Sequence, residues 1–146
     1  MNNIYLIGMM GSGKSTAGKD LSKKLNMGFV DIDDDIEKIY DMKISEIFND
    51  FGGEKFRKME SAYFIEISKQ QNNIFSTGGG IILQKENRNV LENNGLTFLL
   101  EANCQILLDR IAKIKNRPLL NKSNPLNEML SIWEQRKEYY YDSSHH

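Results

Sequence analysis

The sequence predicts a parallel α/β sandwich, and three observations lead there. Short apolar segments alternate with stretches of helical periodicity along most of the 146 residues. The apolar segments are continuous, as in strands covered on both faces. The first of them also runs into a glycine-rich turn that opens directly into an amphipathic helix, the start of a strand–helix–strand unit.

Residues 4–7, Ile-Tyr-Leu-Ile, form the first strand, and Gly8-Met9-Met10-Gly11-Ser12-Gly13-Lys14-Ser15-Thr16 is the turn that follows it. The helix opening at Lys14 reaches about Leu25, with Ala17, Leu21 and Leu25 on one stripe and Lys19, Lys23 and Lys24 toward solvent. Gly28 breaks that run, and Phe29-Val30-Asp31 reads as a short second strand. Two brief helices are expected over 36–40 and 44–50, then a turn at Phe51-Gly52-Gly53. A longer helix over 56–69 turns Met59, Tyr63, Phe64 and Ile67 inward. Ile74-Phe75-Ser76 is the third strand and runs into Thr77-Gly78-Gly79-Gly80. A helix over 85–93 and a reset at Gly95 lead to the fourth strand, 96–100. Residues 104–114 are helical, with Ile106, Leu107, Leu108 and Ile111 for packing. The polar stretch 115–125, interrupted by Pro118, predicts a mobile loop, and Pro125 suits the first turn of a last helix to about Tyr141.

Composition narrows the function classes. Hydrophobic residues are 40% and charged residues 27%, an ordinary balance for a single domain spanning 1–146. A net charge of -1 argues against general attraction to nucleic acid or anionic membrane, so basic side chains should matter locally. One cysteine, Cys104, allows no internal disulfide, and with two terminal histidines it makes no zinc site. No leader or membrane span is expected, and a cytoplasmic location and a monomer fit these features.

The glycine loop carries the first chemistry. Its backbone N–H groups can wrap a polyphosphate at the positive end of the helix, with Lys14 placed for the β- and γ-phosphates and Ser15 for a Mg²⁺ position. A structural glycine turn is the alternative, and the strand–loop–helix setting favours nucleoside triphosphate binding. No guanine-selecting Asn-Lys-x-Asp is present, and the chain is small for a motor, which leaves a compact kinase with a lid. Asp31 closes the second strand, where parallel sheets form ligand crevices, and is placed for a metal-bound water, while Asp33 is placed to orient a substrate hydroxyl. Asp34, Asp35 and Glu37 need do no more than cap the next helix. Arg57 can grip a carboxylate with Glu60 behind it, although such a pair is more often a helix-surface ion pair. Gly79 and Gly80 offer close backbone approach. Arg117 in the polar loop suits a developing phosphoryl charge, and Arg110 and Arg136 are candidates for nucleotide and acceptor contact. From these residues alone the acceptor is a small hydroxylated acid.

Taken together in order, these segments closely resemble the shikimate kinase family over nearly the whole chain. The matching text is the glycine loop, Asp31-Ile32-Asp33 with Ile36-Glu37 behind it, and Gly53-Glu54-Lys55-Phe56-Arg57-Lys58-Met59-Glu60. It continues with Thr77-Gly78-Gly79-Gly80, Arg117-Pro118-Leu119-Leu120, and Arg136 before Tyr140. The resemblance implies ATP-dependent phosphorylation of the shikimate 3-hydroxyl, giving shikimate 3-phosphate and ADP. It implies a P-loop, nucleoside-monophosphate-kinase-like three-layer sandwich with sheet order 2-3-1-4-5. By position Asp33, Arg57, Gly79, Gly80 and Arg136 match acceptor-binding residues, with a binding region over about 31–60. Gly11, Ser12, Gly13, Lys14, Ser15 and Thr16 match the ATP phosphate loop, Ser15 the Mg²⁺ ligand, and Asp31 a residue behind the metal. Lys14, Asp33 and Arg117 match the catalytic positions, Arg117 lying in a lid over about 113–124, and Arg110 matches a residue near the adenine.

Two departures set further expectations. Relatives often carry Pro where this chain has Glu138, which would alter loop stiffness and bring a carboxylate toward the acceptor if it pointed inward. The sequence stops at His146, before the family's usual fifth strand, and a chain lacking that strand would leave strand one or four with an unpaired edge. A kinase for another small polyol acid such as gluconate, or a non-catalytic nucleotide-dependent regulator, are the competing readings.

Overall fold

A computed structural model describes residues 2–112 and 124–146. Four parallel strands, β1 (Asn3–Ile7), β2 (Gly28–Asp31), β3 (Asn73–Ser76) and β4 (Gly95–Leu99), form one sheet in the order β2-β3-β1-β4. Seven helices surround it among the described residues: α1 (Lys14–Leu25), α2 (Ile32–Tyr40), α3 (Ile44–Phe51), α4 (Gly53–Ile67), α5 (Lys85–Asn93), α6 (Cys104–Ile111) and α7 (Pro125–Ser143). In register, Ile4 sits opposite Ile74 on one side and Leu96 on the other.

The strand period explains the layers. Ile4 and Leu6 of β1 and Ile74 of β3 point to one face, where Ala17 and Leu21 of α1 cover them. Tyr5, Ile7 and Phe75 point to the opposite face and join Phe64 of α4, Leu91 of α5 and Tyr140 of α7. The Tyr5 ring stacks on Phe75 at 5.0 Å and meets Phe64 edge-on at 5.7 Å, contacts worth about 0.5–1.5 kcal/mol each beyond the area they bury. The continuous apolar run of β1 thus means what the sequence predicts: it is buried on both faces.

Several boundaries move, each for a local reason. The sequence starts α2 at 36, whereas the helix begins at Ile32, because Asp31 Oδ1 accepts the Asp34 N–H at 3.1 Å and caps it. Capping therefore falls to Asp31, while Glu37 accepts the Ile44 N–H at 2.9 Å and ties α2 to the start of α3. One residue, Gly52 at φ 83°, separates α3 from α4, so α4 starts at Gly53 rather than 56. After the three glycines a short 3-10 turn, Ile81–Leu83, appears that no periodicity marks.

α7 runs unbroken through position 138, so no loop exists there to be stiffened, and Glu138 is exposed on the helix surface. The unpaired edge expected of β1 is absent, since β1 lies between β3 and β4. The outer edge of β4 is also partly paired. The His145 N–H donates to Thr97 O at 2.8 Å, the Leu99 N–H donates to His146 O at 2.8 Å, and the rings of Phe98 and His146 stack at 5.3 Å. Among the described residues, no helix is long and apolar enough to cross a membrane.

Candidate active site

The carboxyl ends of β1, β2 and β3 meet above the glycine loop, and two cavities open there side by side. The larger, about 330 Å³, is walled by Gly11, Gly13, Lys14, Ser15 and Thr16, with Asp31 and Ser76 from the neighbouring strand ends and Arg110 from α6. Gly13 takes φ 93° to turn the chain into α1, a conformation costly to any residue with a Cβ. The Lys14 ammonium donates to Gly8 O at 2.8 Å, Met9 O at 2.9 Å and Ser12 Oγ at 3.4 Å, so Ser12 lies beneath the loop and helps hold the lysine. Arg110 donates to Gly11 O at 3.1 Å, which fastens α6 to the loop.

Ser15 Oγ donates to Asp31 Oδ2 at 2.5 Å and lies 2.9 Å from Ser76 Oγ. This all-oxygen group suits a hard cation such as Mg²⁺. Among the described residues no cluster of three or more His, Cys, Asp or Glu exists to cage a metal alone.

The smaller cavity, about 60 Å³, is lined by Asp33, Phe48, Phe56, Arg57, Glu60, Arg136 and the three glycines. Arg57 Nη1 donates to Glu60 Oε1 at 2.9 Å, and the guanidinium lies over the rings of Phe56 at 5.2 Å and Phe48 at 5.8 Å. Glu60 is fully buried, so the pair is internal and not the surface ion pair that its spacing allows. Burial drives the Glu60 carboxyl upward from its ordinary range, opposed by Arg57 and then Arg136. Burial lowers Arg136, with Arg57 pushing the same way and Tyr140 and Glu60 opposing. Arg136 Nη1 and Glu60 Oε2 are buried without hydrogen-bond partners among the described residues. A buried guanidinium with an unused N–H, facing a pocket, is matched to an anionic ligand.

The glycines are needed for space. A Cβ on Gly80 would lie 2.3 Å from the Arg57 guanidinium carbon, and one on Gly78 would lie 2.8 Å from Glu60 Oε2 and 3.0 Å from Asp33 Oδ1. Met10, Asp33, Gly78 and Gly79 line both cavities, which makes them neighbours across a shared wall.

Known proteins carry the same pattern. A shikimate kinase family profile matches residues 10–146. The chain belongs to the shikimate kinase family. It is 40% identical over 140 residues to a shikimate kinase of Caldanaerobacter subterraneus subsp. tengcongensis, covering 96% of this chain and 82% of that one. Against a shikimate kinase of a Sulfurihydrogenibium species the identity is 43% over 140 residues, with coverages of 96% and 83%. The solved shikimate kinase from Acinetobacter baumannii in complex with shikimate superposes with a TM-score of 0.96 at 34% identity, over 99% of this chain and 81% of that one. The chain shares with these the three-layer α/β sandwich on a parallel sheet.

Against the shikimate kinase expectations, the structure brings Lys14, Ser15, Thr16, Asp31, Asp33 and Arg110 together at one cavity, and Asp33, Arg57, Gly79, Gly80 and Arg136 at the other. Arg110 is seen bonded to the loop carbonyl of Gly11. Arg117 and residues 113–123 of the expected lid lie outside the described residues. Sequence reasoning missed Ser76, Phe48 and Tyr140. Ser76 carries only the weak signal of ending a strand beside Asp31, its register partner. Phe48 reads as plain core, and the Tyr140 hydroxyl meets Gly79 only through the tertiary fold.

Proposed function

We propose that this chain transfers the γ-phosphoryl group of ATP to the 3-hydroxyl of shikimate, giving shikimate 3-phosphate and ADP on the route to aromatic amino acids. The observation that carries this reading is the shared wall. A phosphate-loop cavity and a pocket holding the buried Arg136 and the half-buried Arg57 guanidiniums open on the same Asp33, so a donor phosphoryl and an acceptor hydroxyl can meet there.

In this reading the loop from Gly11 to Thr16 binds the triphosphate through its N–H groups, and Lys14 swings from the Gly8 and Met9 carbonyls to the β- and γ-phosphates. Ser15 would hold Mg²⁺ with Asp31 behind it, and the ion would supply neutralisation of phosphate charge when bound with the nucleotide. Arg57 and Arg136 hold the shikimate carboxylate, with Glu60 keeping Arg57 aligned and Gly79 and Gly80 giving the ring close approach. Asp33 orients the 3-hydroxyl and receives its proton as the hydroxyl oxygen bonds to Pγ and the bond from Pγ to the ADP oxygen breaks. Arg110 serves the nucleotide, and Arg117 closes from a lid over about 113–124 onto the transferring group. The acceptor region spans about 31–60 within a single domain. The five-stranded order 2-3-1-4-5 is supported by the start of a parallel ladder where His146 meets β4.

ADP formation is measured with Mg-ATP alone, with shikimate and with gluconate. Turnover that requires shikimate is the expected result; turnover only with gluconate, or none with any acceptor, refutes the assignment.

A further inference from the structure

The three glycines and Arg136 reach the acceptor pocket from different parts of the chain, and one side chain from the helix of Arg136 reaches the glycines. Tyr140 lies one turn beyond Arg136 on α7, so the two share a helix face. Its ring is fully buried and stacks on Trp133 at 6.0 Å between centroids and 20° between planes, which leaves the phenol a single direction.

A buried phenol needs a partner. Its Oη–H donates to the Gly79 carbonyl. Arg136 Nη1 stands beside the same glycine, 3.7 Å from where a Cβ on Gly79 would lie. The neighbouring carbonyls are used locally: Gly78 O takes the Ile81 N–H and Gly80 O takes the Leu83 N–H, each at 3.1 Å. That leaves the Gly79 carbonyl, in the middle of the loop, for Tyr140. Burial pushes the Tyr140 hydroxyl up to about 12, so it stays protonated and able to donate throughout the working range.

We propose that Tyr140 is a positioning residue for the acceptor: its hydroxyl holds the triple-glycine loop at Gly79, beside the Arg136 guanidinium, fixing where the loop meets the substrate. The proposal rests on the acceptor assignment above. Tyr140 does not line the phosphate-loop cavity, so its influence should be felt by one substrate.

The test is Tyr140→Phe, which removes the hydroxyl and keeps the ring. The shikimate KM is expected to rise up to about tenfold, the upper end for one neutral hydrogen bond, with the ATP KM and kcat within about twofold. The effect should shrink when Tyr140→Phe is added to Arg136→Ala, because the loop held at Gly79 and the guanidinium beside it then no longer grip one ligand together. Shikimate titration followed by Trp133 emission, the single tryptophan in the chain, gives the same affinity loss without turnover and is measured cold, where the folded fraction is greatest. An unchanged shikimate KM, equal losses for both substrates, or full additivity with Arg136→Ala overturns the proposal. Should Arg136→Ala itself leave the shikimate KM unchanged, the acceptor assignment falls together with it; a strong Arg136→Ala effect beside a silent Tyr140→Phe sinks the proposal alone.

Discussion

The two halves of the site are built by different means. The donor half is mostly backbone from one short stretch, Gly8 to Thr16, whose geometry is set by a strand end, a helix start and Gly13 at φ 93°. The acceptor half is made of side chains from α2, α4 and α7 with the loop after β3, elements far apart in the chain. A local backbone site tolerates changes elsewhere but not within itself. A side-chain site assembled over distance depends on every element staying in place, and on small residues that leave room for charged ones.

The largest expected effect separates the halves cleanly. Lys14→Ala should lower kcat by about 10²- to 10³-fold while shikimate affinity, read by Trp133 emission, stays unchanged. A parallel loss of shikimate affinity would show that the two cavities are not independent. Arg57→Ala comes next, with a shikimate KM about 10²-fold higher and an ATP KM close to the original. It also leaves Glu60 buried without its cation, so denaturant titration at neutral pH should show a loss of about 3 kcal/mol. That loss should narrow in acid, where the carboxyl can protonate.

Two glycine substitutions sharpen the contrast at the tenfold level. In Gly80→Ala the new methyl would occupy the place of the Arg57 guanidinium, 2.3 Å away, so the shikimate KM should rise about tenfold. Gly13→Ala meets nothing within 4 Å, yet forces a Cβ into a left-handed turn, costing about 1–2 kcal/mol. Its effect should fall on the ATP KM. Exchange of these two phenotypes would break the division between a backbone-built and a side-chain-built half.

The smallest effect is a change in the shape of the pH–stability curve. Burial raises the folded pKa of Glu60 above its ordinary 4.5. Below 4.5 both folded and unfolded chains hold the proton. As the pH rises past that value the unfolded chain releases it first, so stability declines until the folded carboxyl ionises as well. Glu60→Gln should remove this decline, and thermal melts across the acid range will show it. A wild-type curve that matches the variant would mean that Arg57 fully offsets the burial.

The same division governs what could be read without coordinates. The donor loop is legible because its signal is contiguous: glycines at fixed spacing, then lysine and serine, between an apolar strand and an amphipathic helix. Asp31 and Asp33 are legible as strand-end carboxylates, but Asp31 caps α2 as well as meeting Ser15, a double role that spacing cannot reveal. Arg57 and Glu60 look like a surface pair by their i, i+3 spacing, and only the packing of Gly78 and the core against α4 makes Glu60 an interior group. The helix starts at Ile32 and Gly53 were misplaced because each turns on one cap residue, not on periodicity.

Local chemistry thus sufficed for the layer architecture, the phosphate loop and the residue types lining the proposed acceptor pocket, because hydrophobic period and glycine spacing act between near neighbours. The adjacency of the two cavities, the buried state of Glu60 and the meeting of Tyr140 with Gly79 were decided by the packing of α2, α4 and α7 against the sheet. Burial and long-range hydrogen bonds depend on which surfaces close over one another, and a linear pattern carries no record of that.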